Sequence, residues 1–326
     1  IWKKPPNLAS ASAEIAGRLS TANSDRPQSE RRARMATEHI PGTMPTIFAG
    51  HGSPMNALEE NRWSRGFAAL TQSVPSPRAI IAISAHWFVD GTWVMANEQP
   101  RTIHDFGGFP QALYEIHYPA SGHADLAQRV LQMLGPGSAG SSMDWGLDHG
   151  TWSVLRWMYP KADIPVIQLS IDRRLSPRRH FEIGRTLAPL REEGVLILAS
   201  GNVVHNLRDA SSRMRTGDLS TPDWARRFDN AVVATLEQRD YAALLSLASE
   251  TDDGLRAHPT PDHWLPLLYV AGASNPSDRI SHSSDGFDLG SLSMRNILFG
   301  GVTGSPGRIP KNQQRQYRTS VPGATG

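Results

Sequence analysis

Three stretches of the chain share one design. Thr46-Ile47-Phe48-Ala49 runs into Gly50-His51-Gly52-Ser53-Pro54. Ile80-Ile81-Ala82-Ile83 runs into Ser84-Ala85-His86-Trp87, and Val195-Leu196-Ile197-Leu198 runs into Ala199-Ser200-Gly201-Asn202-Val203-Val204-His205. Each is a short aliphatic run that stops at small residues and then delivers a histidine. Near-continuous aliphatic strands separated by helical segments belong to a parallel or mixed sheet covered on both faces. In open α/β sheets the carboxyl ends of the strands line the ligand crevice. Three strand ends that each carry an imidazole point to one shared metal site, although a single histidine of this kind is more often a hydrogen-bonded structural residue.

The segments between these runs read as follows. Trp63, Phe67 and Leu70 at helical spacing predict a helix over 59–71. Further helices are expected over 121–134, after His149, over 181–191, over 223–238 and over 241–248. Additional strands are expected at 92–96, 166–171 and 291–299, and residues 211–222 read as a polar loop. Thr260 is a good N-cap and Pro261 suits the first helical position, which would put His263 in the first turn of a helix through Ala271.

The 326 residues include no cysteine, which removes disulfides, thiolate metal sites and cysteine nucleophiles together. The formal charge of +2 comes from the ends: residues 1–43 hold seven basic against four acidic residues, and residues 301–326 hold four against none. The interval between them carries 22 basic and 27 acidic residues, so there is no basic groove for nucleic acid. No run approaches the ~18 apolar residues of a membrane span. A soluble cytoplasmic protein is the expectation. The Ser-, Pro- and Arg-rich residues 1–43 and the tail from 301 read as disordered extensions around one domain at 44–300, and Met35 is a plausible start.

Histidine is the commonest side-chain metal ligand, and without thiolates the candidate ions are Fe(II), Zn(II), Mn(II) and Cu(II). His149 follows Asp148, a carboxylate that could orient its ring. His104-Asp105-Phe106-Gly107-Gly108-Phe109 makes a permissive loop with an apolar surface, and His104 is a candidate pocket residue. His39, His123, His180, His258 and His282 stand in polar contexts and read as surface residues, while His117 could be either. Ser53 lacks the Gly-x-Ser-x-Gly setting of a hydrolase nucleophile.

The strings Gly50–Asn56, Ser84–Trp87, His104–Pro110, Asp148–Gly150, Gly201–Leu207, Pro259–Pro266 and Gly290–Met294 resemble, in order and spacing, the LigB-type extradiol ring-cleavage dioxygenases, and within them the 4,5-DOPA branch. The resemblance covers about residues 44–300. It implies a three-layer α/β/α sandwich with a central mixed, mostly parallel sheet and one divalent ion, Zn(II) or Fe(II). It implies His51, His86 and His263 as ligands and His205 as either a ligand or an acid–base group. It makes His149 a second catalytic histidine, and His104, Phe106, Gly107 and Phe109 the wall for the ring. The broader family completes its ligand set with a glutamate; here the matching segment offers His263, with Asp262 beside it. The implied partners are a catechol such as L-DOPA and O2, with no nucleic acid or membrane, acting in a monomer or small homo-oligomer. Two rivals remain: a zinc-dependent hydrolase using the same histidines, and a non-catalytic metal-binding relative.

Overall fold

The computed structural model describes residues 42–301. The expectations for residues 1–41 and 302–326 lie outside the described residues. In chain order the strands are β1 (Thr46–Gly50), β2 (Ala79–Val89), β3 (Trp93–Met95), β4 (Gly140–Ser142), β5 (Val166–Asp172), β6 (Val195–Gly201), β7 (Ile280–Ser283), β8 (Phe287–Asp288), β9 (Leu292–Ser293) and β10 (Asn296–Phe299). The helices are α1 (Arg62–Leu70), α2 (Gln111–Tyr114), α3 (Ala124–Leu134), α4 (His149–Met158), α5 (Pro177–Leu187), α6 (Leu207–Thr216), α7 (Asp223–Glu237), α8 (Tyr241–Glu250), α9 (Asp252–Ala257) and α10 (Leu265–Ala273).

Eight strands form one sheet in the order β4-β3-β5-β2-β6-β1-β10-β7, and β8 and β9 form a separate hairpin. The central four, β5, β2, β6 and β1, are parallel. β10 and β7 extend one edge antiparallel, and β3 pairs antiparallel with β5 at the other. Every residue of β1, β5 and β6 is buried, as expected of parallel strands covered on both faces. α10, buried along its whole length, lies over β1, β2 and β6 beside α5. α4 packs on β2 and β6 and contacts α1. The result is the expected α/β/α sandwich around a mixed, mostly parallel sheet.

Register explains why the histidines meet. Ala49 of β1 and Ser84 of β2 both stand opposite Ser200 of β6. His51 and His86 therefore emerge one or two residues beyond the same level. His86 sits inside an irregularity of β2: Ile83 pairs with Leu169 and Phe88 with Ile171, so four residues of β2 stand against one of β5. Such a bulge re-aims side chains at a strand end.

Four local expectations need correction. Residues 211–216 are not loop but the second half of α6, which Asn206 caps by accepting from Asp209 N and which ends at left-handed Gly217. His263 is not in the first turn of a helix: α10 starts at Leu265, with Trp264 at its cap, and Thr260 and Pro261 lie in the preceding turn. The single strand expected at 291–299 is two pieces, one in the hairpin and one in the main sheet. His180 and His258 are buried rather than surface residues: His180 Nδ1 is 2.8 Å from Tyr269 OH, and His258 Nε2 donates to Val203 O at 2.8 Å.

Candidate metal centre

Five imidazoles converge at the carboxyl end of the sheet. His51 follows β1, His86 stands in the bulge of β2, His149 opens α4, His205 follows β6, and His263 precedes α10. The ring centroids of His51, His86 and His263 form a nearly equilateral triangle, with separations of 5.1, 5.2 and 5.2 Å. His149 lies 3.8 Å from His86 and 5.6 Å from His51. Ligand atoms of His51, His86 and His149 also come within 4.8 Å of one another. His263 borders the open cavity, whereas His149 is wholly buried behind His86. The triangle with His263 is therefore the better socket for an ion that must meet a ligand from solvent.

The hydrogen bonds decide which nitrogen of each ring faces the centre. Ser200 Oγ gives its one proton to Gly150 O at 2.6 Å, so at 2.9 Å it accepts from His51 Nδ1. His86 Nδ1 lies 3.0 Å from Asp105 Oδ2, and His263 Nδ1 lies 2.5 Å from Asp262 Oδ2. Each Nδ1 is thus bonded outward, and each Nε2 is the nitrogen turned toward the centre. His51 Nε2 and His86 Nε2 stand only 3.1 Å apart. A proton shared between the two rings or a cation beside them is needed to hold two such nitrogens at that distance, and ligating histidines characteristically donate their other N–H to a carboxylate or other acceptor. The donor set therefore fits a divalent ion held by neutral imidazoles.

Electrostatics favours the neutral form for two of the three rings and the charged form for His86. Burial, reinforced by His86 and the other rings, holds His51 well below its ordinary pKa. Burial also lowers His263, against the opposing pull of Asp262. Burial would lower His86 too, but the Asp105 carboxylate outweighs it and raises the ring. Asp105 is itself buried, which works against its charge, yet His149 and His86 carry it well below the usual carboxylate range. Burial and then His263 lower His205, whose ring stacks on His263 at 3.4 Å with planes 5° apart.

Close packing at two glycines permits this crowding. A Cβ on Gly201 would lie 2.3 Å from His263 O, and one on Gly150 would lie 2.5 Å from Ser84 Oγ and 2.8 Å from His86 Cδ2. A side chain at position 201 would displace the His263 backbone, and one at position 150 would displace the His86 ring.

The cavity above the triangle has a volume of about 880 Å³ and is bordered by His51, His86, His205 and His263. Of the residues expected to wall it from the aromatic loop, Gly107 and Phe109 do so. Phe106 is buried behind Phe109 and against the His149 ring, and His104 is turned away, with Nε2 3.0 Å from Ile116 O. Asp148 does not orient His149. Its oxygens accept from Thr151 N, capping α4, and from Gln168 Nε2. Asp105 takes that role: Oδ1 accepts from His149 N at 2.9 Å and is 2.9 Å from His149 Nδ1. Asp105 and Ser200 are site residues that sequence reasoning passed over.

The family profile described as the catalytic LigB subunit of aromatic ring-opening dioxygenase matches residues 44–289. A protein of Escherichia coli K12 named 4,5-DOPA dioxygenase extradiol is 49% identical over 260 residues, covering 79% of this chain and 95% of its own. A Beta vulgaris protein of the same name is 35% identical, covering 78% of this chain and 96% of its own. A crystal structure of an uncharacterized E. coli K12 protein superposes with a TM-score of 0.68 at 44% identity, covering 79% of this chain and all of the other. The chain belongs to the LigB family. It is an enzyme of the extradiol ring-opening dioxygenase kind. No helix among the described residues is long and apolar enough to cross a membrane.

Proposed function

We propose that this enzyme is a metal-dependent extradiol dioxygenase that opens the ring of a catechol such as L-DOPA to a muconic semialdehyde. His51, His86 and His263 hold the ion through Nε2. The observation that carries this reading is the triangle of ring centroids at 5.1–5.2 Å, each ring with its Nδ1 already bonded, at the floor of an open cavity.

A bound divalent ion would supply positive charge that lowers the pKa of a phenol and, as Fe(II), the redox capacity that dioxygen chemistry needs. The chain supplies the rest. Phe109 and the Gly107 backbone form a wall against which the ring lies. His205 borders the cavity, and burial keeps it neutral, so Nδ1 or Nε2 can accept a phenolic proton and later return it. His149, buried against His86 and tied to Asp105, holds the His86 ring in place and is the second proton-holding group. Asp262 is committed to His263 Nδ1, so the ligand set is nitrogen throughout. Zn(II) also accepts such a set, which makes oxygen dependence the deciding observation.

The test is reconstitution with Fe(II) without air, addition of L-DOPA, caffeate or protocatechuate, and measurement of oxygen uptake with the visible band of the product. Consumption of one O2 per catechol is expected. Protein with bound Fe(II) that consumes no oxygen across the panel overturns the proposal.

A further inference from the structure

The cavity is larger than a catechol ring, and its outer part is charged. Glu59, Arg62, Arg215 and Asp288 border it. The β8–β9 hairpin carries Asp288 there. Asp288 pairs with Leu292, and Leu292 bridges to the backbone of His205. Two strand spacings put the Asp288 backbone about 10 Å from that of His205. The hairpin thus joins Asp288 to the same cavity that His205 borders.

The Asp288 carboxylate is set in place with no cation of its own. Oδ1 accepts from Leu289 N at 3.0 Å, and among the described residues no Lys, Arg or His is ion-paired to it. Leu289, which also borders the cavity, has φ +49°, a left-handed conformation that costs a non-glycine residue of order 1 kcal/mol and persists where the surroundings impose it. Burial, with Glu59, raises the Asp288 pKa above its ordinary value, while the Leu289 N–H and Arg62 pull the other way; an ammonium beside it would add to that pull.

Arg62 is the neighbouring cation. Its guanidinium lies 3.7 Å over the Trp63 ring, and Nη2 donates to Phe287 O at 3.3 Å, one residue from Asp288. Arg62 and Asp288 are thus adjacent on the cavity wall and fixed by other contacts, yet not paired with each other. The head of an α-amino acid has its ammonium and carboxylate on one carbon, so its anchors must be adjacent and opposite in charge. The Arg215 guanidinium, on α6, has no ion pair or hydrogen bond among the described residues, but it lies on a different element from Asp288.

We propose that Asp288 and Arg62 form a subsite that binds the α-amino-acid head of a catecholic substrate, Asp288 taking the ammonium and Arg62 the carboxylate. This rests on the catechol reading of the histidine site and adds the residues that select among catechols. Glu59 strengthens the pull on the cation, and Leu289 and Leu292 seat the methylene between head and ring.

The experiment measures equilibrium binding by calorimetry to the Zn(II)-loaded full chain, which keeps the readout independent of turnover. The probes are L-DOPA, dihydrocaffeate (no ammonium), dopamine (no carboxylate) and plain catechol. A charge-assisted contact at a half-exposed site predicts that Asp288→Asn weakens L-DOPA and dopamine about tenfold and leaves dihydrocaffeate and catechol unchanged. Arg62→Gln weakens L-DOPA and dihydrocaffeate by a similar factor and leaves dopamine unchanged. Equal losses for all four probes, or none, overturn the subsite. A carboxylate-selective loss in Arg215→Gln but not in Arg62→Gln overturns the assignment of Arg62. If the binding pattern holds and the Fe(II) protein consumes no oxygen, the dioxygenase reading fails while the subsite stands.

Discussion

The two ends of the central sheet bury charge in opposite ways. At the amino end Arg191 is fully buried, and each guanidinium nitrogen has an acceptor: Nε meets Met44 O at 2.6 Å, Nη1 meets Ala273 O at 2.9 Å, and Nη2 lies 2.8 Å from Asp278 Oδ2. The cluster ties the start of β1 and the end of α10 to the segment leading into β6. At the carboxyl end Ser200, Asp105 and Asp262 brace the Nδ1 atoms of His51, His86 and His263 from outside, and the three rings face one another with centroids 5.1–5.2 Å apart. A buried polar cluster satisfied within the chain serves the fold. One whose rings are each braced from outside and turned toward a common point is arranged for a ligand from outside the chain.

That contrast can be broken in four ways. The largest effect is expected for His51→Ala or His86→Ala, each of which should remove nearly all bound metal while leaving the metal-free melting temperature unchanged. Elemental analysis beside a thermal melt checks both halves, and full metal content in either variant would refute the ligand assignment. Arg191→Met should do the reverse. Stripping the donor from Met44 O and Ala273 O and the counter-charge from the largely buried Asp278 costs about 3–5 kcal/mol, on the order of 10 °C in melting temperature, with metal content per folded chain retained. Asp105→Asn keeps the shape but cannot hold both His86 and His149, so metal affinity should fall about 10–100-fold with little change in stability. Competition against a chelator of known affinity measures that.

The smallest effect concerns a buried histidine outside both clusters. Burial lowers the pKa of His180 to about 4. The folded state therefore refuses a proton that the unfolded chain accepts near pH 6.5. Stability is fully present above that pH and declines as pH falls toward 4. Between pH 6.5 and 5.5 the loss is about 1 kcal/mol, and His180→Gln should flatten that part of a denaturation-versus-pH curve.

Much of this was legible in the sequence, for a physical reason. Strands such as Val195–Gly201, buried on both faces, have to be aliphatic throughout, and a histidine that ends such a run stands out. What stayed hidden depends on partners distant in sequence. Asp105 is defined by bridging His86 and His149 rather than by its neighbours, and the adjacent His104 drew attention instead. The one local cue was that every ligating imidazole needs an acceptor for its second N–H. Residues 211–216 looked like loop because α6 buries only Ala210, while Leu207, Ala210, Ser211, Met214 and Arg215 turn one face to the cavity. Sequence period records burial against protein and is blind to burial against an empty space. His180 and His258 read as surface residues because their chain neighbours are polar; Tyr269 OH and Val203 O, far along the chain, make them interior.

The strand order has a further consequence for how the protein is made. β1 lies between β6 and β10, so the strand that carries His51 has no place in the sheet until residues beyond 195 have been synthesised. His263 arrives later still. A nascent chain emerging from the ribosome therefore exposes β1 and β2 for most of its synthesis with no complete socket to load. Parallel pairings of such wide separation also close slowly. On the proposed ligand set, ion capture comes at the end of assembly, and bound metal would report that the whole domain, from its first strand to its last helix, is in place.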